Sequence, residues 1–162
     1  MPTADPISAT TSIPDDVFDP MLAAVRGILV DAVELPELKA QNVAILSAEK
    51  TAADINQEIM ATTGKTGLCA IIIPGAGKNS APELEQPRFT IQFDLQLYTR
   101  RAVNHGRKAA QLVVEIIRKL HATEIQVTGV PWQERIAVIS FTPMPDPDFV
   151  AHSITFEREI QF

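Results

Sequence analysis

Residues 89–98 read Phe-Thr-Ile-Gln-Phe-Asp-Leu-Gln-Leu-Tyr, an unbroken two-residue alternation. Phe89, Ile91, Phe93, Leu95 and Leu97 fall on one side of an extended chain; Thr90, Gln92, Asp94, Gln96 and Tyr98 fall on the other. Side chains of a strand point alternately to opposite faces, so this pattern predicts a strand with one buried and one polar face. Upstream, residues 67–73 (GLCAIII) are apolar on both faces and predict a central strand covered on both sides. Pro74-Gly75-Ala76-Gly77 is expected to break that strand, and residues 78–87 to form a polar loop. Downstream, residues 107–120 carry an apolar stripe of Ala109, Leu112, Val113, Ile116, Ile117 and Leu120 at helical spacing, with Asn104 as its expected cap.

Outside this block the elements alternate in type. Asp19 is placed to cap a helix over 20–34, with Pro20 at its first position and Pro36 as its stop. A short strand is expected at 43–46. Thr51 and Asp54 have capping-box spacing for a helix over 51–61, with Ala52, Ile55 and Ile59 inward and Thr62-Thr63-Gly64 as its end. Three further strands are expected at 124–130, 134–141 and 149–162, with a proline-stiffened turn at 142–148. In the last, Val150, Ile154, Phe156, Ile160 and Phe162 share a face that His152 and Arg158 interrupt. This order predicts an α+β fold: a mostly antiparallel sheet with helices packed on one face, in a single domain over 15–162. Residues 1–14 lack periodicity and are expected to be a flexible tail.

Composition bounds the function. The 162 residues are enough for one domain with its own core, and 46% apolar content is ordinary for a globular chain. No apolar run approaches the ~20 residues of a membrane span, and the N-terminus has no signal-peptide pattern, so a cytoplasmic protein without membrane contact is expected. The net charge is −6, and it is uneven: residues 1–64 hold ten acids and three bases, residues 65–162 ten acids and eleven bases. An acidic chain without a basic stripe argues against sequence-specific nucleic-acid binding. The basic residues Arg100, Arg101, Arg107 and Lys108 cluster around one loop, a solvated face or a contact with an acidic neighbour.

Candidate chemistry is sparse. Cys69, the one cysteine, lies in the apolar run and reads as a small buried hydrophobe. Gly64-Lys65-Thr66 has the end of a phosphate loop, but Ile59 stands where the first glycine belongs and the element order is wrong. His105, His121 and His152 lack metal-ligand spacing. No catalytic, cofactor or metal site is expected. Glu157 and Glu159 share a strand face without an evident basic partner, and Trp132 between two strands reads as a packing anchor or an interface residue.

The runs GLCAIIIPGAG (67–77), APELEQPRF (81–89), FTIQFDLQLYTR (89–100), NHGRKAAQLVVEIIRKLH (104–121) and FVAHSITFEREIQF (149–162) together resemble the tail terminator, or tail completion, proteins of tailed bacteriophages. The likeness lies in element order and texture over residues 15–162. It implies a small α/β subunit without catalytic residues, built into a homo-oligomeric ring, expected hexameric. The ring would sit on the head-proximal end of the tail tube, stop tube growth and join tail to head. The implied partners are further copies, the tail tube protein and a head completion or connector protein. The implied location is the virion tail, assembled in the host cytoplasm. By analogy, contacts are expected at Lys78, Glu83, Glu85 and Arg88, at Arg100, Arg101, Arg107 and Lys108, at Trp132, and at Glu157 and Glu159. The competing readings are another connector or baseplate subunit, a small ligand-binding domain using the 74–87 loop as a lid, or an enzyme using Cys69 or a histidine.

Overall fold

Helix α1 (Phe18–Val30) opens the part of the chain that the computed structural model describes, which comprises residues 18–46, 51–100, 107–125 and 134–161. The expected tail, Asn104, His105 and most of the 124–130 strand lie outside it. Asp19 sits inside the first turn of α1 rather than at its cap, where a carboxylate still favours the helix dipole. The helix stops at Val30, short of both Glu34 and Pro36. Tighter turns replace it, with Leu35 N–H donating to the Ala32 carbonyl and Leu38 N–H to the Leu35 carbonyl. This three-residue spacing sends Ala32, Leu35 and Leu38 into the core together.

Strand β1 (Val43–Ile45) runs parallel to β2 (Leu68–Asn79). Between them α2 (Ala52–Thr66) starts at the expected capping box: Thr51 accepts from Asp54 N–H, and Asp54 accepts from Thr51 N–H. It continues through Thr62-Thr63-Gly64, which was expected to end it, and stops at Gly67 in the left-handed conformation (φ 73°). Of the residues expected inward, Ile59 is buried and Ile55 half-buried; the Ala52 side chain is outside the described part.

Strand β3 (Arg88–Thr99) follows, then α3 (Ala109–Leu120), the two-residue strands β4 (Glu124–Ile125) and β5 (Glu134–Arg135), and the long strands β6 (Ala137–Met144) and β7 (Val150–Gln161). The main sheet has the order β1-β2-β3-β7-β6 and is antiparallel except at β1. This is the α+β architecture expected. Leu97 lies opposite Ala70 and Leu95 opposite Ile72; the rings of Phe93 and Phe156 stack at 5.4 Å. α1 and α3 cover this face, and Leu112, Val113, Ile116 and Leu120 of α3 are buried against it. Each such side chain contributes about 1.5–3 kcal/mol on burial. The expectation of helices on one face holds for α1 and α3 but not for α2, which packs on the opposite face at one corner, where Ile59 meets Cys69 and Ile71.

Further expectations need correction. Pro74-Gly75-Ala76-Gly77 does not end β2; the strand passes through it by a bulge and keeps pairing with β3 to Asn79. Pro74 falls just beyond the last residue that β1 pairs, where β2 has become an edge and the sheet tolerates proline. Gly75 is required there, because a Cβ would lie 2.5 Å from the Gln92 carbonyl oxygen. The expected strand at 134–141 is divided at Ile136, which exchanges backbone bonds with Ala122 and Thr123, and its second part runs on through Pro143 to Met144. Thr142–Met144 is therefore strand and not turn. The third helix begins at Ala109, with Gln111 accepting from the Lys108 N–H.

Candidate assembly surface

The polar residues of β3 alternate with its core residues, so the second face of the sheet is built from the same strand as the core. Thr90 stands opposite Glu159, Gln92 opposite Glu157, Asp94 opposite Thr155 and Gln96 opposite Ser153. On the outer side Glu157 faces Ala137, Thr155 faces Ser140 and Ser153 faces Thr142. Hydrogen bonds fix several of these side chains: Thr155 Oγ1 donates to Asp94 Oδ1 (2.6 Å) and Tyr98 OH to Gln96 Oε1 (2.7 Å). α2 covers only the Cys69 end of this face. The remainder is half-exposed to exposed, polar and held in place.

The turn from β2 to β3 adjoins this face. It spans residues 80–87, since Lys78 and Asn79 belong to the strand. Ser80 N–H donates to the Arg88 carbonyl, Ala81 N–H to Asn79 Oδ1, and Leu84 N–H to the Ala81 carbonyl. Gln86 accepts from Gln161 of β7. The turn is thus ordered, with Glu83 and Glu85 exposed on it. Arg88 pairs with Glu159 at 3.2 Å, so Glu159 does have a basic partner, one that sequence spacing did not reveal.

The expected contact residues divide between separate places. Lys78, Glu83, Glu85, Arg88, Glu157 and Glu159 gather around one end of the sheet. Arg107 and Lys108 lie at the start of α3, on the helix side. Arg107 grips Glu37 through two bonds (2.7 and 2.8 Å) and donates to the Glu34 carbonyl. That hydrogen bonding holds the Glu37 carboxyl below the ordinary range and the Arg107 guanidinium above its own. Arg100 follows β3, its N–H donating to the Gly67 carbonyl at the end of α2. Arg101 and Trp132 lie outside the described residues.

The residues considered for chemistry have structural surroundings. Cys69 is buried, and desolvation, aided by the Glu58 charge, pushes its thiol up to about 11. His121 closes α3 and its Nδ1 accepts from Val138 N–H. His152 lies in β7 opposite Leu97 and Pro143, and burial lowers its pKa. Gly64-Lys65-Thr66 is the last turn of α2. Among the described residues no three His, Cys, Asp or Glu side chains are grouped to hold a metal, and no helix is long and apolar enough to cross a membrane.

Two features escaped the sequence reading. Ile139 and Phe141 of β6 are 49% and 57% exposed. A hollow of about 460 Å³ is lined by Phe18, Gly75, Gly77, Phe89 and Ile91, at the end of the β2–β3 hairpin. The available signal was residues 136–145, ten in a row without a charge in an acidic chain.

No family model matches this chain, and no curated protein does. Solved structures do match. One of them, designated by a sequence number alone, is 18% identical, with a TM-score of 0.50 over 89% of this chain and 95% of that one. At that identity the likeness concerns the fold alone: a single-domain α+β protein with a mostly antiparallel sheet.

Proposed function

We propose that this chain is a structural assembly subunit, a tail-terminator-like protein of a tailed bacteriophage. In this reading copies join into a ring, expected hexameric, on the head-proximal end of a tail tube. The ring ends tube growth and offers the surface to which the head is joined. Its partners are its own copies, the tube protein and a head completion protein, and its place is the virion tail.

The observation that supports this most is the second face of the sheet. A polar face held by Thr155–Asp94 and Arg88–Glu159 contacts, and left open beyond α2, is a preformed docking platform. Binding to such a platform loses little side-chain freedom, which favours docking of a rigid partner such as the tube end. The sequence resemblance supplies the kind of assembly, and the ordered 80–87 turn beside the platform supplies a second contact. Stable joining of subunits needs on the order of 1,000 Å² of buried surface.

Negative-stain imaging and mass measurement of the purified protein, alone and with tail tube protein, test the reading. Rings of fixed subunit number are expected, or caps at one end of the tubes. A protein that stays monomeric at every concentration and with tubes present overturns it.

A further inference from the structure

The main sheet ends in two strands, and at each end part of the edge is unpaired among the described residues. At one side β1 pairs only with Ala70–Ile72 of β2, and its own outer side is occupied: Arg26 Nε donates to the Val43 carbonyl at 2.8 Å and Arg26 Nη2 to the Ala40 carbonyl. Beyond β1, β2 itself becomes the edge, and Pro74 through Lys78 are exposed. At the other side β6 is the edge, with residues 139–143 all exposed. Unpaired N–H and C=O groups along such an edge are a template for another strand, and natural edges are blunted by charge, proline or bulges. β6 has a bulge between Val138 and Ser140, gives its Val138 N–H to His121 and contains Pro143, but it has no charged residue along its eight positions (AVISFTPM).

The two edges have matching polarity. β2, β3, β7 and β6 are antiparallel at each step, so β6 runs opposite to β2. A second copy in the same orientation therefore brings its β2 edge to the first copy's β6 as an antiparallel neighbour. We infer that copies of this chain join head to tail by pairing β6 of one with the Gly75–Asn79 edge of β2 in the next. Ile139 and Phe141 then seat in the hollow lined by Phe18, Gly75, Gly77, Phe89 and Ile91.

Charge favours a second copy as the occupant. Each chain carries −6, so two copies repel except where charge is sparse. β6 is uncharged, and the facing edge carries one charge, that of Lys78, opposite in sign to the chain as a whole. Gly75 and Gly77 have no side chains to hold an incoming backbone away. The joint is also staggered. β6 stands level with Cys69–Pro74 of its own copy, through rows Ala151–Tyr98 and Phe156–Phe93, whereas the free part of β2 lies beyond Pro74. Stagger of this kind, repeated around a closed sheet, requires tilted strands, as in barrels. An interface between unlike surfaces forms rings or filaments rather than closed pairs.

This assignment rests on the ring reading above and names the surfaces that make the ring. The test is thiol cross-linking of the Ala76→Cys/Ser140→Cys double variant with a short bis-maleimide, on protein imaged in parallel. Cys69 is buried and gives little background. A ladder of dimer, trimer and higher species from the double variant, with monomer from each single variant, is expected. Cross-linking of the Ser140→Cys single variant that stops at dimer overturns the head-to-tail joint in favour of a two-fold one. Rings in the images without cross-links overturn the choice of edges and leave the ring reading standing. Monomer without cross-links, at every concentration and with tail tubes present, overturns both. Phe141→Asp provides an independent reading: light scattering is expected to show lost assembly while circular dichroism stays native, and assembly that survives overturns the role of Phe141.

Discussion

Arg158, towards the end of β7, points to the core side of the sheet and donates from Nη2 to the carbonyl of Ile125 at 3.0 Å. It is 3% exposed, so the bond ties the main sheet to the small β4–β5 pair inside the protein. Arg158→Ala is expected to leave the Ile125 carbonyl without this donor, at a cost of about 1–3 kcal/mol before packing loss is added. Arg158→Met keeps most of the apolar stem and removes the polar contacts of the guanidinium. Urea denaturation of both variants checks this; wild-type stability in both means that the bond contributes nothing.

Gly75→Ala forces a Cβ to within 2.5 Å of a backbone oxygen of the partner strand, an atom that yields only if the sheet moves. A loss of about 1–3 kcal/mol is expected, in the range of overpacked sites. Gly77→Ala is the control, since its Cβ would meet Ile91 at 3.4 Å, an ordinary contact. Thermal melts of the two variants should differ clearly, and equal melting temperatures would reject the steric account.

The Arg107–Glu37 pair predicts a direction for the pH dependence. Hydrogen bonding to Arg107 lowers the Glu37 pKa below the ordinary 4.5 in the folded chain, so the unfolded chain takes up its proton first. The contribution to stability is complete above the ordinary value and disappears as pH falls through the lower, folded value. Glu37→Gln should therefore flatten the stability curve below about pH 5. Denaturation midpoints measured from pH 7 downward decide the matter; parallel curves for wild type and variant would exclude the pair as a source of acid sensitivity.

Cys69 is expected to resist thiol reagents at pH 8, because its thiol titrates near 11 and the side chain is buried. Full labelling should appear only in denaturant. Rapid labelling of the native protein would show that the α2 side of the sheet opens readily.

The parts legible in the sequence were those whose pattern has one physical reading. The alternation at 89–98 admits only a strand with two unlike faces, and the Ala109–Leu120 stripe only a helix on a core. The Thr51–Asp54 spacing placed the start of α2 correctly. Misreadings occurred where tertiary pairing outweighed local preference. Pro74 and Gly75 look like breakers by themselves, yet β3 continues alongside and a bulge absorbs the extra residue. Gly64 looked like a helix stop, but the chain can wait for Gly67, whose left-handed φ turns it into β2. The Arg88–Glu159 pair joins residues 71 positions apart, beyond any spacing rule. Ile139 and Phe141 were read into a strand, but nothing in their spacing tells that the helix layer leaves β6 uncovered.

The twelve rows that join β3 to β7 have a consequence for the order of events in folding. Asp94 meets Thr155, 61 positions further along the chain, so the longest ladder among the described strands closes late, after the whole helix between them has been made. Long-range pairing of this kind slows folding relative to local contacts. During synthesis β2 and β3 can form their hairpin, but β6 has no neighbour until β7 emerges and takes its place between the two. The β6 edge therefore becomes an ordered template only as the domain is completed, so that joining through it waits for a finished subunit.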